Sequence, residues 1–170
     1  ADGTLWISTP AGLSHFNPKT QRFRTYRHDP ADPATLTPGR VGFIRPFEGG
    51  KVLWVGTQRG LNRVDVATGK VTRYTHDPQR PESLANNEVR SFVADNDGTY
   101  WIGTRHAGLE HLDPRTGVFT HYPHDAANPK SISGPAVYAL LIDKRGRLWA
   151  GTTAGLSLFD RQSKTFTRFT

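Results

Sequence analysis

The stretch DNDGTYWIGT, residues 95–104, decides the fold of this chain. Asp97-Gly98 is a strong hairpin signal, because a tight turn between strands needs a positive φ that glycine adopts freely. The apolar residues 89–94 before it and the Trp101 segment after it therefore predict two antiparallel strands. The stretch recurs along the chain, so the sequence is an internal repeat.

Four tryptophans mark the repeat, at spacings of 48, 47 and 48 residues. They are Trp6, Trp54, Trp101 and Trp149, in the segments LWIST, LWVGT, YWIGT and LWAGT. Each is followed by a Gly-Leu pair, an Asn or Asp, and two aromatic or β-branched residues. A full unit therefore predicts four short strands, and this period predicts a β-propeller whose blades are anchored by the tryptophans. A flat β-solenoid is the alternative, although its coils are normally shorter.

The predicted fold is all-β, a single partial β-propeller over residues 1–170. The blade units are 1–28, 41–76, 89–124 and 137–170. The first unit opens at the hairpin turn Asp2-Gly3 and lacks its innermost strand, so we expect three strands of one blade and three full blades of four strands. Proline-rich polar loops of about a dozen residues join the units, and loops of this length are often functional. No segment predicts a helix longer than one turn.

The amino-acid composition excludes several classes of protein. The chain has no Met, so we expect a fragment excised from a longer protein, with a processed mature chain as the alternative. It has no Cys, which excludes disulfides, thiol catalysis and Cys-ligated metals. Neither a membrane-spanning run nor a signal peptide is visible. The net charge of +7 favours anionic partners, but the basic residues are scattered and predict no nucleic-acid surface.

The sequence predicts no catalytic residue, metal site or cofactor. Nucleophile elbows, phosphate-binding loops and four-ligand metal spacing do not occur. His28, His76 and His124 each precede an Asp, and we expect that Asp to cap a turn of the following loop. Four glutamates break the repeat and are the candidates for an unusual carboxylate: Glu48, Glu82, Glu88 and Glu110.

The candidate ligand site is a basic patch at one end of the blades. Arg59 and Arg105 stand in the loops between second and third strands, and Arg40 and Arg90 stand at the entry to first strands. His106 follows Arg105. An arginine can hold a carboxylate or sulfate through two parallel hydrogen bonds, so the patch predicts an anionic ligand.

Residues 87–104, with 41–57 and 137–152, resemble the two component regulator propeller repeat. The shared features are an apolar strand, the pattern Asp-x-x-Gly-x-x-Trp-x-Gly-Thr and a following Gly-Leu, and the resemblance covers essentially the whole chain. Two units depart from the pattern. Ser8 replaces the usual Gly in the first, and Gly49-Gly50-Lys51 with one extra residue form the hairpin of the second.

The resemblance implies a periplasmic or extracellular sensor module of a bacterial signalling receptor, with relatives that sense breakdown products of polysaccharides. Together with the basic patch and the lack of catalytic motifs, it predicts a non-catalytic module that recognises an acidic oligosaccharide or another anionic ligand. Such receptors continue into a membrane span and an output domain, so any membrane contact is expected through parts outside this chain. The alternatives are a polysaccharide lyase, with His106 beside Arg105 as the one suggestive pair, and a protein-interaction scaffold. The open blade faces also predict self-association, with two copies completing one ring.

Overall fold

The computed structural model describes residues 3–10 and 12–169, and its sheets are all antiparallel. The chain divides into two compact units, Ala1–Thr75 and His76–Thr170, and each unit contains two sheets. The predicted fold class, propeller blades of four strands with one three-stranded blade, is confirmed. Four residues of the predicted blade units lie outside the described residues: Ala1, Asp2, Ala11 and Thr170.

The first unit contains blades 1 and 2. Its strands are β1 (Leu5–Thr9), β2 (Gly12–Asn17) and β3 (Arg22–Tyr26) in blade 1, and β4 (Val41–Phe47), β5 (Val52–Thr57), β6 (Gly60–Asp65) and β7 (Val71–Tyr74) in blade 2. Within each blade the strands pair in chain order. A single 3-10 turn, Glu48–Gly50, joins β4 to β5. All three of its residues have positive φ, and this turn accommodates the extra residue of the second unit.

The second unit contains blades 3 and 4, which both have four strands in chain order. The strands are β8 (Val89–Ala94), β9 (Tyr100–Thr104), β10 (Leu109–Asp113) and β11 (Val118–Tyr122) in blade 3, and β12 (Val137–Ile142), β13 (Leu148–Thr152), β14 (Gly155–Asp160) and β15 (Thr165–Phe169) in blade 4.

The Asp-x-x-Gly-x-x-Trp pattern is a hydrogen-bonded hairpin. In blade 3 the indole Nε1 of Trp101 donates to Asp95 Oδ2 at 2.8 Å, and Gly98 turns the chain between them with φ 83°. In blade 4 Trp149 Nε1 donates to Asp143 Oδ2 at 3.0 Å. The aspartate therefore satisfies the single polar group of a large apolar side chain, which lets the indole lie within the sheet packing.

Each unit has its own hydrophobic core between its two blades. In the first unit, Leu13 and Tyr26 of blade 1 pack with Val41 and Val55 of blade 2. In the second unit, Trp101 meets Phe159 of blade 4 edge to face, with ring centroids 5.0 Å apart. Of the four predicted anchors, Trp54 and Trp101 are buried, whereas Trp6 and Trp149 are half-buried.

Blades 3 and 4 approach so closely that one position requires glycine. Ser91 Oγ donates to Val137 O at 3.0 Å across the two blades. A Cβ built on Gly103 would lie 2.6 Å from the same carbonyl oxygen, closer than real Cβ atoms come to any atom. The Gly of the Trp-x-Gly-Thr pattern therefore sets the spacing of these blades.

The long loops are ordered by a hydrogen-bond pattern of their own. In the loop of residues 76–88, the ring nitrogen Nδ1 of His76 lies 3.0 Å from Leu84 O, and Asp77 N donates to Ser83 Oγ at 2.9 Å. Asp77 Oδ1 accepts a bond from Gln79 N, the turn cap that the sequence predicted. Leu84 is fully buried. The loops of residues 28–40 and 124–136 repeat these bonds, so the histidines and aspartates brace the loops.

Each loop is held by the blade that follows it. Arg73 of β7 donates from Nε to Thr35 O at 2.5 Å and from Nη2 to Asp32 O at 2.8 Å. Arg168 of β15 does the same for the loop of residues 124–136. These loops are therefore well-bonded parts of the following blades.

Candidate functional site

The innermost strand of every full blade carries a β-bulge at its second residue. The pairing register shifts between Val89 and Ser91 in blade 3 and between Val137 and Ala139 in blade 4. The unpaired residues at these shifts are Arg90 and Tyr138, and both are exposed. Blade 2 has a shift in the same place. Bulges often re-aim a side chain beside a functional site, so these positions are candidates for ligand contact.

Four of the predicted or neighbouring polar residues meet at the entry to blade 3. Glu88 Oε2 accepts hydrogen bonds from Arg90 Nη2 at 3.1 Å and from Arg105 Nη1 at 3.0 Å. The backbone closes the same contact, since Arg105 N donates to Glu88 O at 2.9 Å. The bond from Arg105 lowers the pKa of Glu88, helped by the charges of Arg90 and His106. The cluster carries two arginines against one carboxylate; its basic residues are exposed and Glu88 is half-buried.

A second basic environment lies in the first unit, around Arg40. A cavity of about 230 Å³ opens there between the loop of residues 28–40 and blade 1. Its polar wall includes Arg40, Arg27, His28 and Thr37. No Asp or Glu is among its described lining residues. Arginines in a concave surface without a nearby carboxylate provide a favourable setting for an anion.

The wall of this cavity is fixed from behind by a buried polar network. Thr37 N donates to Asn62 Oδ1 at 2.8 Å, and Asn62 Nδ2 donates back to Thr37 Oγ1 at 2.8 Å. Thr57 Oγ1 donates to Pro38 O at 3.0 Å. Thr37, Asn62 and Thr57 are all buried, with 3% exposure or less. A fully satisfied buried network is rigid, so the cavity is pre-formed.

The structure brings some of the predicted residues together and separates others. Arg90 and Arg105 share one carboxylate with His106 nearby, whereas Arg40 lines the cavity of the first unit. Arg59 is exposed in the β5–β6 loop and is not among the residues that line this cavity. Binding of one ligand by the whole patch stays a prediction.

Two residues of these environments were missed in the sequence. Tyr138 occupies the repeat position of Arg90, and aligning the blades at the following strand would have identified it. Arg27 precedes the repeated His-Asp pair and gave no signal, because its place on a cavity depends on how the following loop lies relative to blade 1. Within residues 3–10 and 12–169, no three His, Asp or Glu side chains converge as a metal site would require.

Comparisons with known proteins place the chain in a family. Residues 1–128 match the SMP-30/Gluconolactonase/LRE-like region, and residues 131–154 match the two component regulator propeller. The chain belongs to the SMP-30/Gluconolactonase/LRE-like family, and its fourth blade contains a match to the two component regulator propeller. The family resemblance seen in the sequence is thereby confirmed. No curated protein matches the chain significantly.

Solved structures from bacterial surfaces share the fold. The extracellular domain of a protein described as a hybrid two component system of B. thetaiotaomicron is 33% identical over 98% of this chain, with a TM-score of 0.80. A second such domain from that organism is 22% identical over 92% of this chain, with a TM-score of 0.72. PorZ, a surface component of the type-IX secretion system of Porphyromonas gingivalis, is 18% identical over 99%, with a TM-score of 0.66.

The chain spans about a fifth to a quarter of the length of these solved structures. It covers 22%, 20% and 26% of the three chains, respectively. Two of the matches are extracellular domains of signalling proteins, which is the setting that the family resemblance implied. No helix in the described part of this chain is long and apolar enough to cross a membrane.

Proposed function

We propose that this chain is a non-catalytic ligand-sensing module, from the periplasmic or extracellular side of a bacterial signalling receptor, that binds a small anionic ligand such as an acidic oligosaccharide. The observation that carries the proposal is the cavity at Arg40, whose described wall has two arginines and no carboxylate. The likeness to extracellular domains of two component systems supports the sensing role. The chain corresponds to about a fifth of those solved extracellular domains, so a signalling output would come from other parts of the receptor.

The cavity is a better anion site than the cluster at blade 3. Glu88 already accepts bonds from both Arg90 and Arg105, so an incoming anion would compete with a carboxylate at about 3 Å. Arg40 and Arg27 form no ion pair with any residue that the structure describes. The exposed aromatic ring of Tyr138 and the guanidinium of Arg90, both at β-bulges, are a second candidate surface for ligand contact.

Calorimetric titration with two matched sugars tests the proposal. Trigalacturonate supplies carboxylates, and maltotriose is a neutral sugar of the same length. We expect binding of the acidic sugar alone, weakened about tenfold or more by Arg40→Ala, since one charge-assisted pair is lost. Arg145→Ala changes an exposed hairpin arginine in the other unit and is the matched control. Equal binding by the Arg40→Ala and Arg145→Ala proteins would remove the cavity as the site.

Enzymatic activity is tested on the same samples. A lyase would need a base near an arginine that stabilises the sugar carboxylate, and Arg105 of the one suggestive pair is engaged by Glu88. We expect no unsaturated product from trigalacturonate and no hydrolysis of gluconolactone, with or without added divalent cations. Formation of either product, lost in the His106→Ala protein, would contradict a purely sensing module.

A further inference from the structure

Blade 3 departs from its sister blades at one cross-strand pair that faces the preceding loop. The pair consists of the residue after Gly-Leu on the third strand and its register partner on the fourth. The pairs are Asn62–Arg73 in blade 2, Glu110–His121 in blade 3 and Ser157–Arg168 in blade 4. Blades 2 and 4 therefore brace their loops with a permanent cation, and blade 3 uses two groups that can each gain or lose a proton.

The contacts of the blade 3 pair are short and buried. Glu110 is fully buried, and its Oε2 lies 2.6 Å from His121 Nδ1 and 3.5 Å from Ala85 N. The other ring nitrogen, His121 Nε2, lies 2.6 Å from Pro81 O. The second carboxylate oxygen, Oε1, is buried and has no hydrogen-bond partner among the described residues. The pair thus ties the loop of residues 76–88 to blade 3 at two points.

The contact with Pro81 determines where the protons lie. A backbone carbonyl only accepts, so His121 Nε2 must carry a hydrogen. An attractive contact between Nδ1 and Glu110 Oε2 then needs one proton between them, either as imidazolium with carboxylate or as imidazole with carboxylic acid. Without that proton, a ring lone pair faces a buried carboxylate at 2.6 Å. That arrangement is repulsive. The buried carboxylate would then accept only one hydrogen bond, the long one from Ala85 N to Oε2.

Other charges near the pair do not replace the shared proton. The loop brings His76, Asp77, Arg80 and Glu82, of which Arg80 and Glu82 pair with each other at 3.3 Å. Strand β9 opposes Glu110 with the buried Ile102. We propose that Glu110 and His121 hold residues 81–85 through one shared proton, and that its loss at alkaline pH releases this segment from blade 3.

The direction of the titration agrees with this arrangement. Burial raises the pKa of Glu110 to about 7, against the opposing charge of His121. Partial burial lowers the pKa of His121, but the bond to Pro81 O and the Glu110 carboxylate outweigh it, and the net shift is upward. A folded-state pKa above that of the unfolded chain gives stability that is present at low pH and lost as the pH rises through the folded value. Deprotonation of either group as the pH rises therefore weakens the contact between the loop and blade 3.

The segment leads directly to Glu88 and Arg90, which do not line the proposed ligand cavity at Arg40, so this proposal does not depend on the ligand. The loop itself is tested without ligand. Phe119 N donates to Glu82 O at 2.8 Å, and its counterpart in blade 4, Phe166 N, donates to Lys130 O at 2.8 Å. The ratio of hydrogen-exchange protection at these two amides cancels the intrinsic effect of pH and isolates the blade 3 loop.

The experiment follows this ratio and the ring nitrogens of His121 by NMR, from about pH 6 to about pH 9. We expect Nε2 to stay protonated, the shared proton to titrate in one step, and Phe119 to lose about tenfold in protection relative to Phe166 across that step. Glu110→Asn with His121→Arg installs the pair of blade 2, and its ratio should not change with pH. A constant ratio in the native chain, or an equal change in both proteins, would overturn the proposal and leave the ligand site untouched.

Discussion

Arg168 gives the sharpest test of how the long loops are held. Its guanidinium donates from Nε to Ser131 O at 2.8 Å, and from Nη2 to Ser131 Oγ at 2.6 Å, Asn128 O at 2.7 Å and Asp125 O at 3.2 Å. A hydrogen bond to a charged group contributes about 1.5–3 kcal/mol when buried, and less here because the side chain is half-exposed. Since the three shortest bonds are lost together, we expect Arg168→Ala to lower the free energy of unfolding by about 2 kcal/mol.

Urea unfolding followed by tryptophan fluorescence measures this change, provided that the denaturant slope stays constant. A loss of about 2 kcal/mol corresponds to about 4–8 °C in Tm for a chain of this size. Arg168→Lys should recover only part of the loss, because an ammonium cannot reproduce the planar fork. Arg145→Ala, at an exposed turn, is the control without effect. A change below about 0.5 kcal/mol for Arg168→Ala would refute the bracing role.

Three further predictions concern a close glycine contact, the pKa of one aspartate and an exposed apolar face. Gly103→Ala should lower stability by about 1–3 kcal/mol, whereas Gly151→Ala, with its nearest contact at an ordinary 3.5 Å, should be tolerated; both are measured by urea unfolding. The indole hydrogen bond of Trp149 leads the contacts that lower the pKa of Asp143, so the carboxylate stabilises the fold until the pH falls through that lowered value. Trp149→Phe should raise this pKa, as carboxyl NMR titration reports. We also expect self-association through the exposed apolar face of blade 4, lost in Leu141→Glu and measured by light scattering with size exclusion.

Distinct outcomes would contradict each of these. Equal stability of the two glycine variants would show that the close approach at Gly103 is relieved at no cost. An unchanged titration of Asp143 in the Trp149→Phe protein would place the cause of its low pKa with Arg147 and the backbone. A monomer of 18.9 kDa at all concentrations would show that the open face of blade 4 is tolerated.

The blades were predictable because their signals are local. Gly98 and Trp101 lie a few residues apart, and the hairpin that they define is formed by contacts between residues close in sequence. The bracing of the loops was not predictable in the same way, because Arg73 reaches a loop about 40 residues earlier in the chain. The repeat shows that such a residue recurs, but it does not show what the side chain reaches. Contacts between blades depend on how two sheets face each other, which no local pattern encodes.

The candidate site was predictable in part. Glu110 was singled out because it breaks the repeat, and its sister residues Asn62 and Ser157 are small and polar. Its burial follows from a position that faces the preceding loop in blades 2, 3 and 4, and this becomes visible only when the loop is folded. The predicted basic patch contains the cavity residue Arg40, but the engagement of Arg90 and Arg105 by Glu88 was not foreseen. Pairings of exposed charges are set by the bulge and turn geometry around them.

The attachment of each loop to the following blade determines how such chains can be recombined. Residues 76–88 bond to Glu110, Phe119 and His121 of blade 3, and the division of the chain into two units falls just before this loop, after Thr75. If a blade were transferred without its preceding loop, its bracing side chain would lose its hydrogen-bond partners. The loop left behind would then have to pack on a blade that lacks the matching side chain. The exchangeable module is therefore a loop with the blade after it, and chimeras joined just before the His-Asp pair should fold where those joined at the first strand fail.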